Sequence, residues 1–449
     1  MKKRTSYLVA GALAGVALGG ISQSALRAAT ANPNDELTLF SDVFNKVRDN
    51  YAEKPDDDKM IKGAIDGMLA SLDPHSTYFD AKALQEFQSS MKGEEFGGLG
   101  LEVMMEDGVV KVVSPIDDTP AARAGLLTGD RVIKIDDTPV KGLSLKDAVD
   151  RMRGKAKSSV RLLVERGPNK VTKEYTIVRE IIHVQSVRSR VESGDIGYIR
   201  ITQFNQEAYD GLRKAFEHFR SDPGSAKLKG YIIDLRNNPG GLLNQAVEIT
   251  NSFIDKGEIV STRGRNIDEE QRYGARPGVN LSQGKPVVVL INGGSASASE
   301  IVSGALQDLH RATLIGTRSF GKGSVQTILP LAENGALKLT TARYYTPSGR
   351  SIQALGIEPD IVIPENIPPD LKGKVSSLGE ASLAGHLKNG PEEEKGSDAY
   401  VPPERNNDTQ LQAAISLIHG VPVDTVKEQA AASRAAQAAA EQAATVTSK

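Results

Sequence analysis

The chain of 449 residues has no cysteine. Disulfides, thiol nucleophiles, zinc ribbons and a lipid-bearing cysteine are therefore excluded, although the redox compartment is not fixed by this absence. Histidine is scarce. There are six, with no HExxH and no paired spacing, which disfavours a metalloprotease. An excess of one charge is missing too: 55 basic residues face 57 acidic ones, a net charge of −2, so nothing biases the chain toward nucleic acid or anionic membranes. A long apolar run is also lacking. The candidate, Tyr7 to Ile21, is short for a membrane span. It follows Lys2, Lys3 and Arg4 and precedes Ser22-Gln-Ser24, which places small residues at the −3 and −1 positions of a cleavage site. Residues 1–30 thus read as a signal peptide of an exported, periplasmic protein, the alternative being an uncleaved anchor in the inner membrane.

What is present concentrates between Lys285 and Gln326. Val287 to Ile291 is a continuous apolar run rich in β-branched residues, the pattern of a buried strand. Gly293 and Gly294 follow, then Ser295-Ala-Ser-Ala-Ser299, and Ile301, Val302, Ala305, Leu306 and Leu309 recur at helical spacing. A strand, a glycine turn and a helix N-terminus bearing small hydroxyl residues suit a nucleophile, because first-turn N–H groups and the helix dipole hold a developing oxyanion. On this segment alone ordinary N-capping is the commoner explanation of the same residues. A second apolar strand, Ala312 to Ile315, leads to Lys322 between two glycines, and strand-like sequence resumes over Val325 to Leu331. Burial there would lower the amine from its usual pKa of about 10.4 and make it a neutral base, and serine with lysine is an alternative to the histidine triad. Gly316 to Lys322 also spells G-x-x-x-x-G-K, but Gly323 replaces the Ser or Thr of a phosphate loop and a strand follows instead of a helix. Nucleotide hydrolysis is disfavoured, and no metal, nucleotide or other cofactor is implied.

The rest of the chain, about two or three domains by length, surrounds this stretch. Leu37, Phe40, Val43, Phe44 and Val47, and then Ile61, Ile65, Met68 and Leu69, mark helical faces. His75, beside Pro74, reads as a polar turn residue. From Phe96 to Arg179 short strands (Val109–Val113, Arg131–Ile135, Val160–Val164, Glu174–Val178) flank one helix, Ser144–Met152, behind the glycines Gly97, Gly98 and Gly100. From Gly194 strands and helices alternate: Ile196–Phe204, a helix through Leu212 and Phe216, Tyr231–Leu235, and the turn Asp234-Leu-Arg-Asn-Asn-Pro-Gly-Gly241 into a helix near Leu242. Asp234 and Arg236 are expected to be a structural pair. Pro364 to Asn407 is rich in Pro, Gly and charge and reads as a mobile linker. Leu411, Ala414, Ile415 and Ile418 form an amphipathic helix, and the alanine-rich tail from Val426 reads either as a surface for self-association or a partner such as an adaptor, or as a solvated tail.

GSASASEI followed by FGKGSVQ resembles the C-terminal processing peptidases, or tail-specific proteases. The resemblance implies that Ser297 is the nucleophile, Lys322, 25 residues later, the base, and Gln326 the residue that orients it. LDPHSTYF (72–79), DLRNNPGG (234–241) and YYTPSGRSIQALGIEPDI (344–361) match the same family, and the resemblance covers roughly Leu72 to Pro364. It implies an oxyanion hole from the backbone N–H of Gly240 or Gly241 with that of Ala298. Phe96 to Leu101 and Pro120 to Asp130 resemble a bacterial PDZ domain, in which Gly98, Leu99, Gly100 and Leu101 receive a substrate C-terminus, Leu99 and Leu101 helping to line the apolar pocket. The implied fold class is multidomain α/β, with a mixed-sheet peptidase core of the ClpP/crotonase-like kind, an inserted PDZ domain and helical terminal regions. The expected boundaries are 1–30 signal, 31–94 helical region, 95–180 PDZ, 181–365 core, 366–407 linker and 408–449 helical tail. The implied activity is that of a serine endopeptidase acting on proteins with accessible C-termini and not on nucleic acid, the alternative being a PDZ scaffold with an inert core.

Overall fold

The computed structural model describes residues 33–447, apart from 93–95, 107, 116–118, 128–129, 144, 167–170, 183–184, 222–226, 369–374, 376–378 and 403. The expected signal segment lies outside the described residues. Two units divide the chain, residues 1–69 and 70–449. In the first, helix α1 (Pro33–Asn50) and helix α2 (Asp57–Ala70, its last residue in the second unit) are linked by an Arg48–Asp57 ion pair at 3.3 Å. Their apolar stripes, including Leu37, Phe40, Val43 and Ile61, stand exposed.

The second unit opens with β1 (Thr77–Phe79) and α3 (Ala81–Lys92). A short-strand module follows: β2 (Phe96–Gly98), β3 (Leu101–Glu106), β4 (Val109–Pro115), α4 (Pro120–Arg123), β5 (Arg131–Ile135), β6 (Thr138–Pro139), α5 (Leu145–Met152), β7 (Ser159–Arg166), β8 (Val171–Val178) and β9 (Glu180–Ile182). Its main sheet is antiparallel, in the order β3-β4-β5-β7-β8, while β2 pairs with β9. One face is buried, so Val160, Leu162 and Val164 alternate with more exposed neighbours along β7.

The α/β core comprises β10 (Val187–Glu192), β11 (Ile196–Ile201), α6 (Ala208–Ser221), β12 (Gly230–Asp234), α7 (Leu243–Asn251), β13 (Glu258–Gly264), β14 (Gln271–Gly274), β15 (Val287–Ile291), α8 (Ala298–Asp308), β16 (Thr313–Gly316), β17 (Ser324–Pro330), β18 (Ala336–Tyr345) and β19 (Ile361–Val362). Six strands run in the order β10-β11-β12-β15-β16-β19, all parallel except the β10–β11 pair. β12 and β15 are buried at every position, because both sheet faces are covered. Ile233, Val289 and Leu314 pack with Leu212, Phe216, Ile249 and Val302 of α6, α7 and α8. β17 and β18 belong to a second, antiparallel sheet with β1, β13 and β14.

The opposite face carries Ile232, Val288, Leu290 and Ile315, and its cover is the C-terminal region. Helix α9 (Thr409–Ile418) lays Leu411, Ala414, Ile415 and Ile418 on it, and α10 (Val423–Thr447) adds Val426 and Ala430. The amphipathic helix is thus part of the core, whereas of the alanine-rich tail Val426 and Ala430 pack on it and much of the described stretch from 431 to 439 is exposed. The expected mobile linker also differs in its described portion. Glu380 N donates to Phe320 O at 2.9 Å, Glu394 N to Ala354 O at 2.9 Å and Ser397 Oγ to Arg318 O at 2.6 Å. A Cβ on Gly293 would fall 1.8 Å from Ser397 O, so the segment lies tight against the turn before α8. Its polar composition reads as a loop; its backbone is nonetheless paired with the core.

A buried ionic latch docks α9. Arg236, 1% exposed, donates to both oxygens of Asp234 and both of Asp408, the latter at 2.8 and 2.7 Å. Asp408 caps α9 by accepting from Leu411 N. The structural pair expected at Asp234 and Arg236 therefore has a third member. Asp408→Ala is expected to lower unfolding stability in denaturant by about 3–5 kcal/mol, since it removes one of the two carboxylates bonded to a buried guanidinium, whereas loss of a cap alone costs about 1 kcal/mol. A loss within about 1 kcal/mol would mean that Arg236 does not depend on this partner.

Candidate active site

The turns at the C-terminal ends of β12, β15 and β16 bring the expected chemistry together, as open parallel sheets do. Three serines follow β15, and hydrogen bonding separates them. Ser295 Oγ donates to Leu235 O at 2.8 Å and Ser299 Oγ to Asn238 O at 2.9 Å, both tying α8 to the DLRNNPGG turn. The Ser297 hydroxyl donates to nothing among the described residues. Ser297 is the N-cap residue of α8, with φ +54° and ψ −111°, a region that costs a non-glycine residue roughly 1–3 kcal/mol and clusters at functional sites. Gly240 packs against it; a Cβ there would lie 2.8 Å from Ser297 Cβ, which demands glycine.

Glu300, one turn into α8 and fully buried, did not figure among the sequence candidates. Its Oε2 accepts from Ser297 N at 2.7 Å and Lys322 N at 2.9 Å; its Oε1 accepts from Ser319 Oγ at 2.5 Å and Gly321 N at 2.7 Å. One oxygen thus holds the backbone of both the candidate nucleophile and the candidate base. Burial drives the carboxyl up to about 7, against those four donors. The Glu at the N3 position behind a Ser cap is the signature of a capping box, the one sequence signal for it.

Lys322 is largely buried, and this desolvation, with the Lys338 ammonium nearby, lowers its amine to about 8. Glu380, Glu300 and Asp73 act in the opposite direction. The amine makes no hydrogen bond to Ser297 Oγ among the described residues. Gln326, expected to orient Lys322, donates instead to Ser324 Oγ at 2.9 Å and Thr340 Oγ1 at 3.2 Å. Thr340 Oγ1 in turn donates to Asp73. His75 is a turn residue, as expected, and its ring reaches inward: Nε2 lies 2.8 Å from Glu380, which accepts from Gln353 Nε2, while Gln353 Oε1 accepts from Gly323 N next to the candidate base. His310 sits exposed just past the far end of α8, away from Ser297, and His183 lies outside the described residues.

Of the expected oxyanion donors, Gly240 N is already donated to Asn238 Oδ1 at 2.9 Å. That corrects its assignment. The N–H groups of Gly241 and Ala298 have no acceptor among the described residues. In the short-strand module, Gly98 ends β2, and Gly100 (φ +74°) abuts Thr119 so closely that a Cβ would lie 2.2 Å from Thr119 Cβ. Leu99, 3% exposed, is part of the module's core and does not line an open pocket as expected. Leu101, Val103 and Met105 of β3, like Leu145 and Val149 of α5, are half-buried against the module's core. β3 is at the sheet edge, the kind of position at which an extended peptide can add as a strand.

Fold and site together define a serine peptidase with a PDZ module. The chain belongs to peptidase family S41, whose model matches residues 195–363; a PDZ domain model matches 111–166, and that of the activating protease CtpB N-terminal domain matches 8–83. It is 51% identical over 422 residues to the carboxy-terminal-processing protease of Bartonella bacilliformis, covering 94% of this chain and 96% of that one. Carboxy-terminal processing protease CtpA of Bacillus subtilis is 36% identical over 331 residues, 73% of this chain and 69% of that one. The solved structure of an S41 protease candidate from Bacteroides fragilis NCTC 9343 shares the fold, at TM-score 0.50 and 18% identity over 83% of this chain and 92% of that one.

Glu300→Gln keeps the volume but presents an amide NH₂ to some of the four donors. Each unsatisfied donor costs about 1–3 kcal/mol, so kcat/KM for an unfolded protein substrate is expected to fall at least about tenfold, with slower fluorophosphonate labelling of Ser297. Unchanged labelling would show that the carboxylate does not position the nucleophile.

Proposed function

We propose that the chain is an exported endopeptidase that captures the C-terminus of a polypeptide on its PDZ module and cleaves it through a Ser297 acyl-enzyme with Lys322 as base. The observation that carries this reading is the single Glu300 oxygen bonded to the backbone of both residues, beside an amine lowered to about 8. Neutral Lys322 takes the Ser297 proton as Oγ attacks the scissile carbonyl. The N–H groups of Ala298 and Gly241 are aimed at the oxyanion, and the proton then passes to the leaving amine. Water repeats the sequence to release the acyl group. Because no hydrogen bond joins Lys322 to Ser297 here, the lysine arm swings to the hydroxyl when substrate binds, with Gln326 exchanging its Ser324 and Thr340 partners to hold it.

Export rests on the basic and apolar pattern of residues 1–30. Self-association is supported by the exposed apolar stripe of α1, where Leu37, Phe40, Val43 and Val47 face solvent; an adaptor is the other partner such a surface fits. Among the described residues no helix is long and apolar enough to cross a membrane.

Ser297→Ala and Lys322→Ala are each expected to cut kcat by more than about 10³-fold, since dyad members act as a unit. Parent-rate cleavage of casein by either variant would overturn the mechanism. The base must be neutral, so kcat/KM rises with pH through about 8; Glu300, raised to about 7, loses its proton in the same direction. Lys338→Met removes a like charge, raises the Lys322 pKa and moves the rising limb to higher pH. A limb that stays in place would show that Lys338 does not act on the base.

A further inference from the structure

A cleft of about 610 Å³ opens beside β18, between the end of β13 and the LDPHSTYF segment. Arg263, Arg265 and Arg343 line it, over an apolar floor that includes Leu339, Tyr345 and Leu387. Arg263 and Arg343 are directly opposed across the β13–β18 pair. Like charges at such positions repel, and the structure offsets this only in part: Arg263 stacks over Tyr345 at 4.2 Å and lies 3.3 Å from Glu270, which it shares with Arg272. Arg343 donates to Lys388 O, and Arg265 has no partner among the described residues. Two more carboxylates are near. Asp73 is saturated by His75 N, by Ser76 and by Thr340 Oγ1, and Glu269 accepts from Asn266. Guanidinium donors therefore outnumber the carboxylates bonded to them. The cleft adjoins the base: Arg343 is in register with Ser324, two residues past Lys322, and the lining residue Thr340 accepts from Gln326.

We propose that this cleft is a subsite for acidic side chains, Asp or Glu, of the polypeptide held for cleavage. An acidic side chain set between opposed guanidiniums relieves their repulsion and finds paired N–H donors, while the aliphatic part of the peptide rests on the apolar floor. This rests on the endopeptidase reading, yet it is tested without catalysis. Full-length Ser297→Ala protein is titrated into fluorescein-labelled, C-terminally amidated peptides, one alternating Glu with Ala and one alternating Gln with Ala, and anisotropy is read at low salt. Amidation removes the carboxylate that the PDZ module would hold. The expected result is a Glu peptide bound at least about tenfold more tightly than the Gln peptide, with the advantage shrinking in high salt and lost in Arg265→Glu and in Arg343→Gln. Arg265 is exposed, so its variant retains the fold. Equal affinities, an advantage that survives in both variants, or tighter binding of a single-stranded oligonucleotide would overturn the proposal. A wild-type protein that failed to cleave casein would overturn the endopeptidase reading alone and leave the binding result standing.

Discussion

A carboxylate sealed in the interior holds the site together. Glu300 has no exposed surface, and its oxygens are taken up by four donors from two separate segments. Burial of this kind is costly unless every lone pair finds a donor. The donors here are one backbone N–H of the α8 turn and, from the loop that carries Lys322, two backbone N–H groups and the Ser319 hydroxyl. That requirement couples the two: neither loop can move far without leaving a charge unpaired. It also accounts for the strain at Ser297, whose positive φ persists because Glu300, Gly240 and the Asn238 carbonyls around it leave the backbone no alternative.

The C-terminal third acts as scaffolding for the site. The 379–398 segment contacts the Lys322 loop through Glu380, whose N–H donates to Phe320 O and whose carboxylate accepts from Gln353, which in turn holds Gly323 N. Helix α9 contacts the DLRNNPGG turn through Asp408 and Arg236, two residues before Asn238, whose side chain holds Gly240 N. In this network Glu365 is pushed up to about 7 by burial and by Asp408 close by. Both supports are polar and buried, and such arrangements favour one geometry over close alternatives.

Local pattern recovered a good deal. The run Val287–Ile291 reads as a buried strand and is β15 with the same ends; the helical spacing from Ile301 is α8, and the alternation around Leu162 is β7. Failures came where a segment's role depends on what lies over it. Residues 379–398 carry loop composition but pair with distant backbone. Leu411, Ala414, Ile415 and Ile418 announce an amphipathic helix, while only the exposed second face of the parallel sheet says where it docks. Leu99 is buried in the module's core, and the His75 turn aims its ring at Glu380; neither could be read locally, since which way a side chain points is set by packing.

The sequence by itself determined the strands and helices that flank the site, the position of a small-residue turn before α8, and a lysine in a glycine-flanked bend, because periodicity and backbone permissiveness are local properties. Tertiary structure decided which of three serines keeps a free hydroxyl, which glycine N–H is already engaged, and how far the Lys322 amine is stripped of water. Those depend on hydrogen-bond partners and neighbouring charges brought in from dozens to hundreds of residues away, and no spacing along the chain encodes them.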